Sequence, residues 1–168
     1  MKKVISASVL TLALLAGTNV MAREAEGTGD AKATLETGMQ VEGKDVVDFG
    51  TLTRFGSGAG TVSLSTSGTL TDTDTIKGDG NATVGTVELT GAHDTVITDI
   101  QYGAATLSNG SGKTITMTVD GETTDKLDAE GKATLSVGGS LTLAGDEPDG
   151  EYSTEKADGV PYKVTVSY

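Results

Sequence analysis

The sequence predicts an all-β protein, specifically an immunoglobulin-like antiparallel β-sandwich of eight or nine short strands. Threonine (28) and glycine (24) together make up close to a third of the 168 residues. Both are poor helix formers, whereas threonine suits a pleated, half-buried surface. Apolar and polar residues alternate in short segments along most of the chain, which is the period of a strand. Turn signals rich in Gly, Asn and Asp separate these segments at the spacing typical of a sandwich.

Residues 1–22 are predicted to be a signal peptide. Two lysines open the chain, an apolar run covers residues 4–16, and small residues precede a cut after Ala22. These are the three regions of a secretory signal, and the apolar run is too short to span a bilayer. We therefore expect export without a direct membrane span. A polar N-terminal extension at residues 23–30 is expected to precede a single sandwich domain at residues 31–168.

The expected strands follow one another with an apolar residue at every second position. The first face carries Ala31, Ala33 and Leu35 and continues in register through Met39 to Val41. A phase change at residues 85–86 predicts a β-bulge. The later apolar faces are, in chain order, Val47/Phe49, Val62/Leu64, Ala82/Val84, Val87/Leu89, Val96/Thr98/Ile100, Ile115/Met117/Val119, Ala133/Leu135/Val137, Leu141/Leu143 and Tyr162/Val164/Val166/Tyr168.

Composition argues against several classes of function. The chain has 24 acidic and 12 basic side chains, a net charge of −12, which disfavours nucleic acid and anionic lipid as partners. Without cysteine it has neither disulfides nor the usual zinc ligands. The single histidine, His93, precedes Asp94 and is interpreted as a surface loop residue. We predict no enzyme activity and no catalytic, cofactor-binding or metal site.

The acidic segment from Asp72 to Asp79 allows two interpretations. Its carboxylates resemble the oxygen ligands of a calcium loop, but Gly is missing at the sixth position and Glu at the twelfth, counted from Asp72. Because Asp and Asn are common turn residues, we interpret the segment as a solvated turn. Calcium binding there stays an open alternative.

Several ordered motifs resemble a family of small bacterial secreted domains of unknown function. One is the aspartate-phenylalanine-glycine sequence at residues 48–50. The others are residues 60–62, 127–131, 135–141, 150–152 and 162–168. The resemblance implies a pilin-like sandwich similar to chaperone–usher fimbrial subunits. Such subunits resemble immunoglobulin domains that lack one strand, and the gap is filled first by a periplasmic chaperone and then by the N-terminal extension of the next subunit.

This resemblance implies partners and two sets of site residues. The partners would be other copies of the chain or related subunits, a periplasmic chaperone and an outer-membrane usher, with the product in a surface fimbria. Ala31, Ala33 and Leu35 are the candidate donor strand, since an added strand needs side chains on alternate positions. The candidate chaperone or acceptor edge carries Tyr162, Val164, Val166 and Tyr168.

Two functions from different classes remain open, and a third, a carbohydrate-binding enzyme or lectin, is disfavoured by the absence of Trp and the scarcity of Tyr, because sugar faces usually stack on aromatic rings. The first is a structural fimbrial subunit assembled by strand complementation. The second is a self-contained secreted or cell-surface adhesion module, in which a strand from Ala31 to Val41 closes the domain's own sandwich. The polar extension at residues 23–30 favours the second, because it lacks large apolar side chains to insert into a partner.

Overall fold

The computed structural model describes residues 32, 33, 35, 37–56 and 59–168 of the chain, and the compact unit spans Leu35–Tyr168. The predicted signal peptide, the predicted extension and Ala31 lie outside the described residues. All regular structure in the described part is strand. The strands are β1 (Gln40–Asp45), β2 (Leu52–Arg54), β3 (Gly60–Leu64), β4 (Leu70–Thr71), β5 (Ile76–Gly78), β6 (Gly85–Thr90), β7 (Asp99–Tyr102), β8 (Ala105–Ser108), β9 (Thr114–Gly121), β10 (Lys132–Leu143) and β11 (Val164–Ser167).

The prediction of an all-β antiparallel sandwich is confirmed. The described residues form eleven strands rather than eight or nine, and every strand pairing is antiparallel. The difference in number comes mostly from β2, β4 and β5, which have three, two and three residues. Segments this short show no alternation that a sequence pattern could detect.

The twelve-residue strand β10 organises the main sheet. One of its edges pairs with β6 through residues 132–137 and with β3 through residues 139–143. Its other edge pairs with β9. The sheet continues from β6 to β1, from β3 to β4 and from β9 to β8. The change of partner falls at Gly138, where a Cβ atom would overlap the carbonyl oxygen of Leu64, so a glycine is required there.

Two buried apolar clusters hold the layers together. The first lies around β3, β8, β9 and the end of β10, and the second lies between β6, the start of β10 and the two-stranded sheet of β7 and β11. Val47, Val119 and Tyr162 pack against both clusters. The first cluster contains Phe49, Val62, Leu64, Ile76, Ala105, Ile115, Met117 and Leu141. The second contains Val87, Leu89, Ile97, Leu127, Leu135 and Val137.

The motif at residues 48–50 has a structural role. Asp48 exchanges two backbone hydrogen bonds with Thr83, at 2.9 and 2.7 Å, and places Phe49 in the first cluster. The Asp48 carboxylate accepts a hydrogen bond from the Gly50 N–H at 2.8 Å. Gly50 has a φ of 66°, a conformation in which glycine avoids steric strain. The motif therefore fixes a turn and a core residue.

Three local predictions differ from the structure. Among the described residues the first strand begins at Gln40, and Ala33 and Leu35, which were predicted to belong to it, are exposed outside any strand. The predicted bulge is found on the partner strand, where the register shifts between Gly43 and Asp45 while β6 runs without a break. The predicted face of Val96 is wrong: Val96 is 64% exposed and Ile97 is buried, because an irregular segment precedes β7.

One carboxylate in the loop after β10 is buried. Glu147 is 8% exposed and contacts Arg54 at 3.3 Å between Oε2 and Nη1. Its carboxylate accepts hydrogen bonds from the N–H groups of Ala144 and Gly145, and Arg54 Nη2 donates to the Glu147 carbonyl at 2.8 Å. These bonds fasten the loop after β10 to β2.

Within the described residues, no helix has the length and apolar character needed to cross a membrane.

Candidate functional site

The candidate acceptor edge centres on β11, the last strand. β11 pairs with β7, with Val164 opposite Tyr102 and Val166 opposite Ile100. The side chains of Val164 and Val166 are half-buried against the second cluster, while Thr165 and Ser167 are exposed. The alternation predicted for this segment is therefore present, and its apolar face packs against the second cluster.

The second edge of β11 has no strand partner among the described residues. Lys163 and Ser167 accept backbone hydrogen bonds from Gly103 and Thr98, both at 2.8 Å, so odd-numbered residues direct their polar groups toward β7. Successive residues of a strand direct their N–H and C=O groups to opposite edges. The N–H and C=O groups of Val164 and Val166 therefore point away from β7, to the outer edge.

In the main sheet, β1 is the outer strand beside β6. In β1, Val41 pairs with Leu89 and Gly43 pairs with Val87, so these residues face the same side of the sheet. Leu89 and Val87 are 0% and 1% exposed, whereas Val41 is 41% exposed and every residue of β1 is exposed. We call the side of the main sheet that faces the second cluster its inner face. This inner face is thus covered at β6 and uncovered at β1. We call the outer edge of β11 together with the inner face of β1 the open edge.

A hydrogen bond crosses the open edge at one end. The N–H of Met39, the residue before β1, donates to the hydroxyl oxygen of Tyr168 at 3.2 Å. Tyr168 is 62% exposed, and Met39 is half-buried against the second cluster. The contact places the end of β11 near the start of β1, as expected if the two strands border one gap.

An aromatic contact that the sequence did not reveal joins β7 to β9. The ring of Tyr102 lies directly over Gly121 of β9, where a Cβ atom would overlap it, and the Tyr102 hydroxyl donates to the Glu122 carbonyl at 2.6 Å. Burial, the neighbouring phenol of Tyr162 and the negative charges of Glu122 and Asp120 raise the pKa of Tyr102 to about 12. Burial also raises the pKa of Tyr162. Both tyrosines therefore pack as neutral side chains.

The structure separates the predicted site residues into three groups. Val164 and Val166 lie together on β11, and Tyr168 reaches across the open edge. Tyr162 precedes the strand and packs between the two clusters. Of the candidate donor residues, Ala31 lies outside the described part, Ala33 is exposed and Leu35 is 95% exposed. Val41 and Gly43 also belong to the open edge but were not predicted as site residues. Their place on the inner face follows only from the register of β1 on β6.

The two other candidates from the sequence lie elsewhere. Asp72 accepts from Lys77 Nζ and the Gly78 N–H, both at 3.1 Å, and Asp79 accepts from the Asn81 N–H at 3.0 Å. These bonds lower the pKa values of both aspartates. His93 lies in an exposed loop, with Nδ1 3.4 Å from Asp94 Oδ2. Both segments have the contacts of ordinary surface turns.

The fold and the open edge define a class: a small antiparallel β-sandwich in which the outer edge of β11 has no strand partner among the described residues. A family model described as a domain of unknown function, DUF4402, matches residues 39–168. The chain belongs to this family. A comparison with curated proteins finds no match. A comparison with solved structures also finds none.

Proposed function

We propose that the chain is an exported structural subunit of a bacterial surface fimbria, assembled by strand complementation. The observation that carries the proposal is the open edge. An added strand beside β11 would pair with the outward N–H and C=O groups of Val164 and Val166, and its inner side chains would cover Val41 and Gly43. This corresponds to the missing strand that the pilin-like resemblance implies.

The free energy of binding that such a strand is expected to contribute is moderate. Each backbone hydrogen bond contributes on the order of 1 kcal/mol, and covering a valine or leucine side chain contributes up to roughly 1.5–3 kcal/mol. The segment before β1 offers Ala33 and Leu35, and Leu35 is 95% exposed. Burying Leu35 in a neighbouring subunit would remove an isolated apolar side chain from water. The partners proposed are further copies or related subunits, a periplasmic chaperone and an outer-membrane usher.

A self-contained adhesion module at the cell surface is the second candidate function. One observation favours it: within the described residues, every buried side-chain nitrogen or oxygen has a hydrogen-bond partner. A domain of this kind is expected to fold cooperatively as a monomer, with the open edge left in water.

A peptide-uptake experiment separates the two functions. A chain of residues 39–168 is mixed with a labelled peptide of residues 23–38, and binding is measured by fluorescence anisotropy. The matched control peptide carries Leu35→Asp. Strand complementation predicts saturable binding of the first peptide and at least tenfold weaker binding of the second, equivalent to about 1.4 kcal/mol. Failure of both peptides to bind, with a stable monomeric chain of residues 23–168, favours the adhesion module.

A further inference from the structure

The hydrogen bonding of β10 is interrupted on the edge that also pairs with β9. At one end of the interruption, the Glu122 N–H donates to the Ser136 carbonyl and the Ser136 N–H donates to the Glu122 carboxylate, both at 2.9 Å. At the other end, the Asp128 N–H donates to the Lys132 carbonyl at 2.9 Å, and the Lys132 N–H donates to the Asp128 carboxylate at 2.7 Å. We call these two pairs of bonds the clamps.

Thr134 lies between the clamps with its backbone unpaired on that edge. The N–H and C=O groups of every second residue in a strand point to the same edge, so those of Thr134 point the same way as those of Lys132 and Ser136. Thr134 lies opposite Glu88 of β6, but its polar backbone groups point away from that strand. Within the described part of the chain, neither group has a hydrogen-bond partner. Thr134 thus presents one free donor and one free acceptor.

The chain opposite Thr134 is bowed away from β10. Five residues, 123–127, separate the clamps on this side, against three, 133–135, on β10. The Leu127 N–H and the Asp125 carbonyl are bonded, at 2.9 and 2.8 Å, to the segment that precedes β7. These bonds hold the bowed segment on the side away from β10, so that a space remains beside Thr134.

We call the space between residues 123–127 and residues 133–135 the notch. It has a volume of about 650 Å³, which is within the range of sites for small ligands. Leu127 and Leu135, which are 0% and 3% exposed, line it together with threonine side chains from both walls. The notch therefore combines apolar surface with the free backbone groups of Thr134.

The charged side chains around the notch are engaged within the protein. The carboxylates of Glu122 and Asp128 accept the backbone hydrogen bonds of the clamps. The ammonium groups of Lys126 and Lys132 each contact a carboxylate that does not line the notch, at 3.4 and 3.6 Å. A neutral ligand leaves all four contacts intact, and the groups that remain for it are a backbone donor and a backbone acceptor.

We propose that the notch binds one residue of a short, uncharged peptide in extended conformation. In an antiparallel pair, two directly opposite residues exchange both of their N–H···O=C bonds. A bound residue would therefore satisfy the N–H and the C=O of Thr134 together, in the way that a peptide adds to the edge of a sheet. Lys132 and Ser136 are roughly 14 Å apart along the strand, at about 3.4 Å per residue, which leaves room for about three extended residues between the clamps.

The proposal does not depend on strand complementation. The notch lies on the β9 side of β10, whereas the open edge is formed by β1 and β11. The two sites also differ in what they accept, because the clamps close both ends of the notch and the outer edge of β11 continues through Val164 and Val166.

Nuclear magnetic resonance of the ¹⁵N-labelled chain of residues 23–168 tests the proposal at Thr134 itself. The probe is trialanine with an acetylated N-terminus and an amidated C-terminus, so that it carries no charge. The control probe is methylated on the nitrogen of each alanine, which removes the donors that pairing requires. Thr134→Pro removes the N–H of the protein at a position where it has no ladder bond to lose. Thr134→Ala is the matched control, because it keeps the N–H.

We expect the first probe to shift the Thr134 amide signal saturably and to slow the exchange of this N–H with water. The methylated probe should bind at least tenfold more weakly, as should the first probe to Thr134→Pro. Thr134→Ala should bind like the natural chain. Thermal melts establish that the variants fold, and if Thr134→Pro does not fold, the comparison of the two probes decides.

Three results would overturn the proposal. They are the absence of any shift at Thr134, equal binding of the two probes, and slow exchange of the Thr134 N–H in the free chain, which would mean that the group is already paired. Shifts at Val164 and Val166 without one at Thr134 would also overturn it, because the peptide would then occupy the open edge, in support of strand complementation.

Discussion

The hydroxyl of Tyr168, the last residue, accepts a hydrogen bond from the N–H of Met39 at 3.2 Å, which joins two positions 129 residues apart. The bond links the end of β11 to the start of β1 across the open edge. Each of the two strands has one strand partner among the described residues, β7 for β11 and β6 for β1. Tyr168 therefore restrains the separation of the two sides of the gap.

Removing this hydroxyl tests the restraint. Tyr168→Phe should lower the free energy of unfolding by about 0.5–1 kcal/mol, because the bond is exposed and easily replaced by water. Amide hydrogen exchange should become faster in β1 and stay unchanged in β9. An equal change in both strands would contradict a local role of Tyr168. The amides of β10 serve as an internal control.

A methyl group at Gly121 should destabilise the domain. Gly121→Ala places a Cβ atom in the ring of Tyr102, and overpacking of this kind costs about 1–3 kcal/mol. Gly43→Ala is the matched control, since no atom lies within 4 Å of its Cβ position. The control should leave the free energy of unfolding within about 0.5 kcal/mol of the natural value. Urea denaturation of both variants measures the difference, and equal effects would contradict the close contact.

Glu147 should make stability depend on pH. Burial by itself would raise the pKa of Glu147, but the N–H donors of Ala144 and Gly145 hold it below the ordinary value of 4.5. A folded-state pKa below the unfolded value contributes stability above pH 4.5, and this contribution is lost as the pH falls through the folded-state pKa.

Glu147→Gln measures that contribution. The variant should lose about 1.5–3 kcal/mol at pH 7, the range for hydrogen bonds to a charged group, and the difference from the natural chain should shrink in acid. Glu130→Gln, at an exposed position, is the control and should change stability little at either pH. A difference for Glu147→Gln that stays constant with pH would contradict the role of the ionised carboxylate.

Val41 and Val166 should respond differently to the same substitution. Val166→Ser removes a methyl pair from the second cluster and should cost about 1–3 kcal/mol, whereas Val41→Ser should cost under about 1 kcal/mol because Val41 is 41% exposed. If the open edge accepts a strand, Val41→Ser should instead weaken binding of the peptide of residues 23–38. Chemical denaturation and peptide titration together separate the two effects.

Strands with strong alternation were predictable from the sequence. Ile115 and Met117 on β9, and Val87 and Leu89 on β6, are buried as their pattern indicates. Alternation carries this information because each strand has one face on the core. The C-terminal face of Val164 and Val166 was predictable for the same reason.

Long-range pairings were not predictable in this way. The strand partner of β10 changes at Gly138, and this change depends on how closely β3 approaches. In the sequence alone, a pair of glycines indicates a turn instead. The burial of Glu147 depends on Arg54, which lies 93 residues earlier in the chain. Val41 has the alternation of a core residue, yet it is exposed because nothing in the described residues covers β1. The candidate site is therefore a property of sheet order, which local patterns do not encode.

Hydrogen exchange at three adjacent residues of β11 tests the open edge most directly. In the isolated chain of residues 39–168, the Thr165 N–H should be protected by its bond to β7. The Val164 and Val166 N–H groups should exchange at rates close to those of unstructured chain. Slow exchange at all three residues would contradict the account, because it would mean that another segment already pairs with the outer edge of β11.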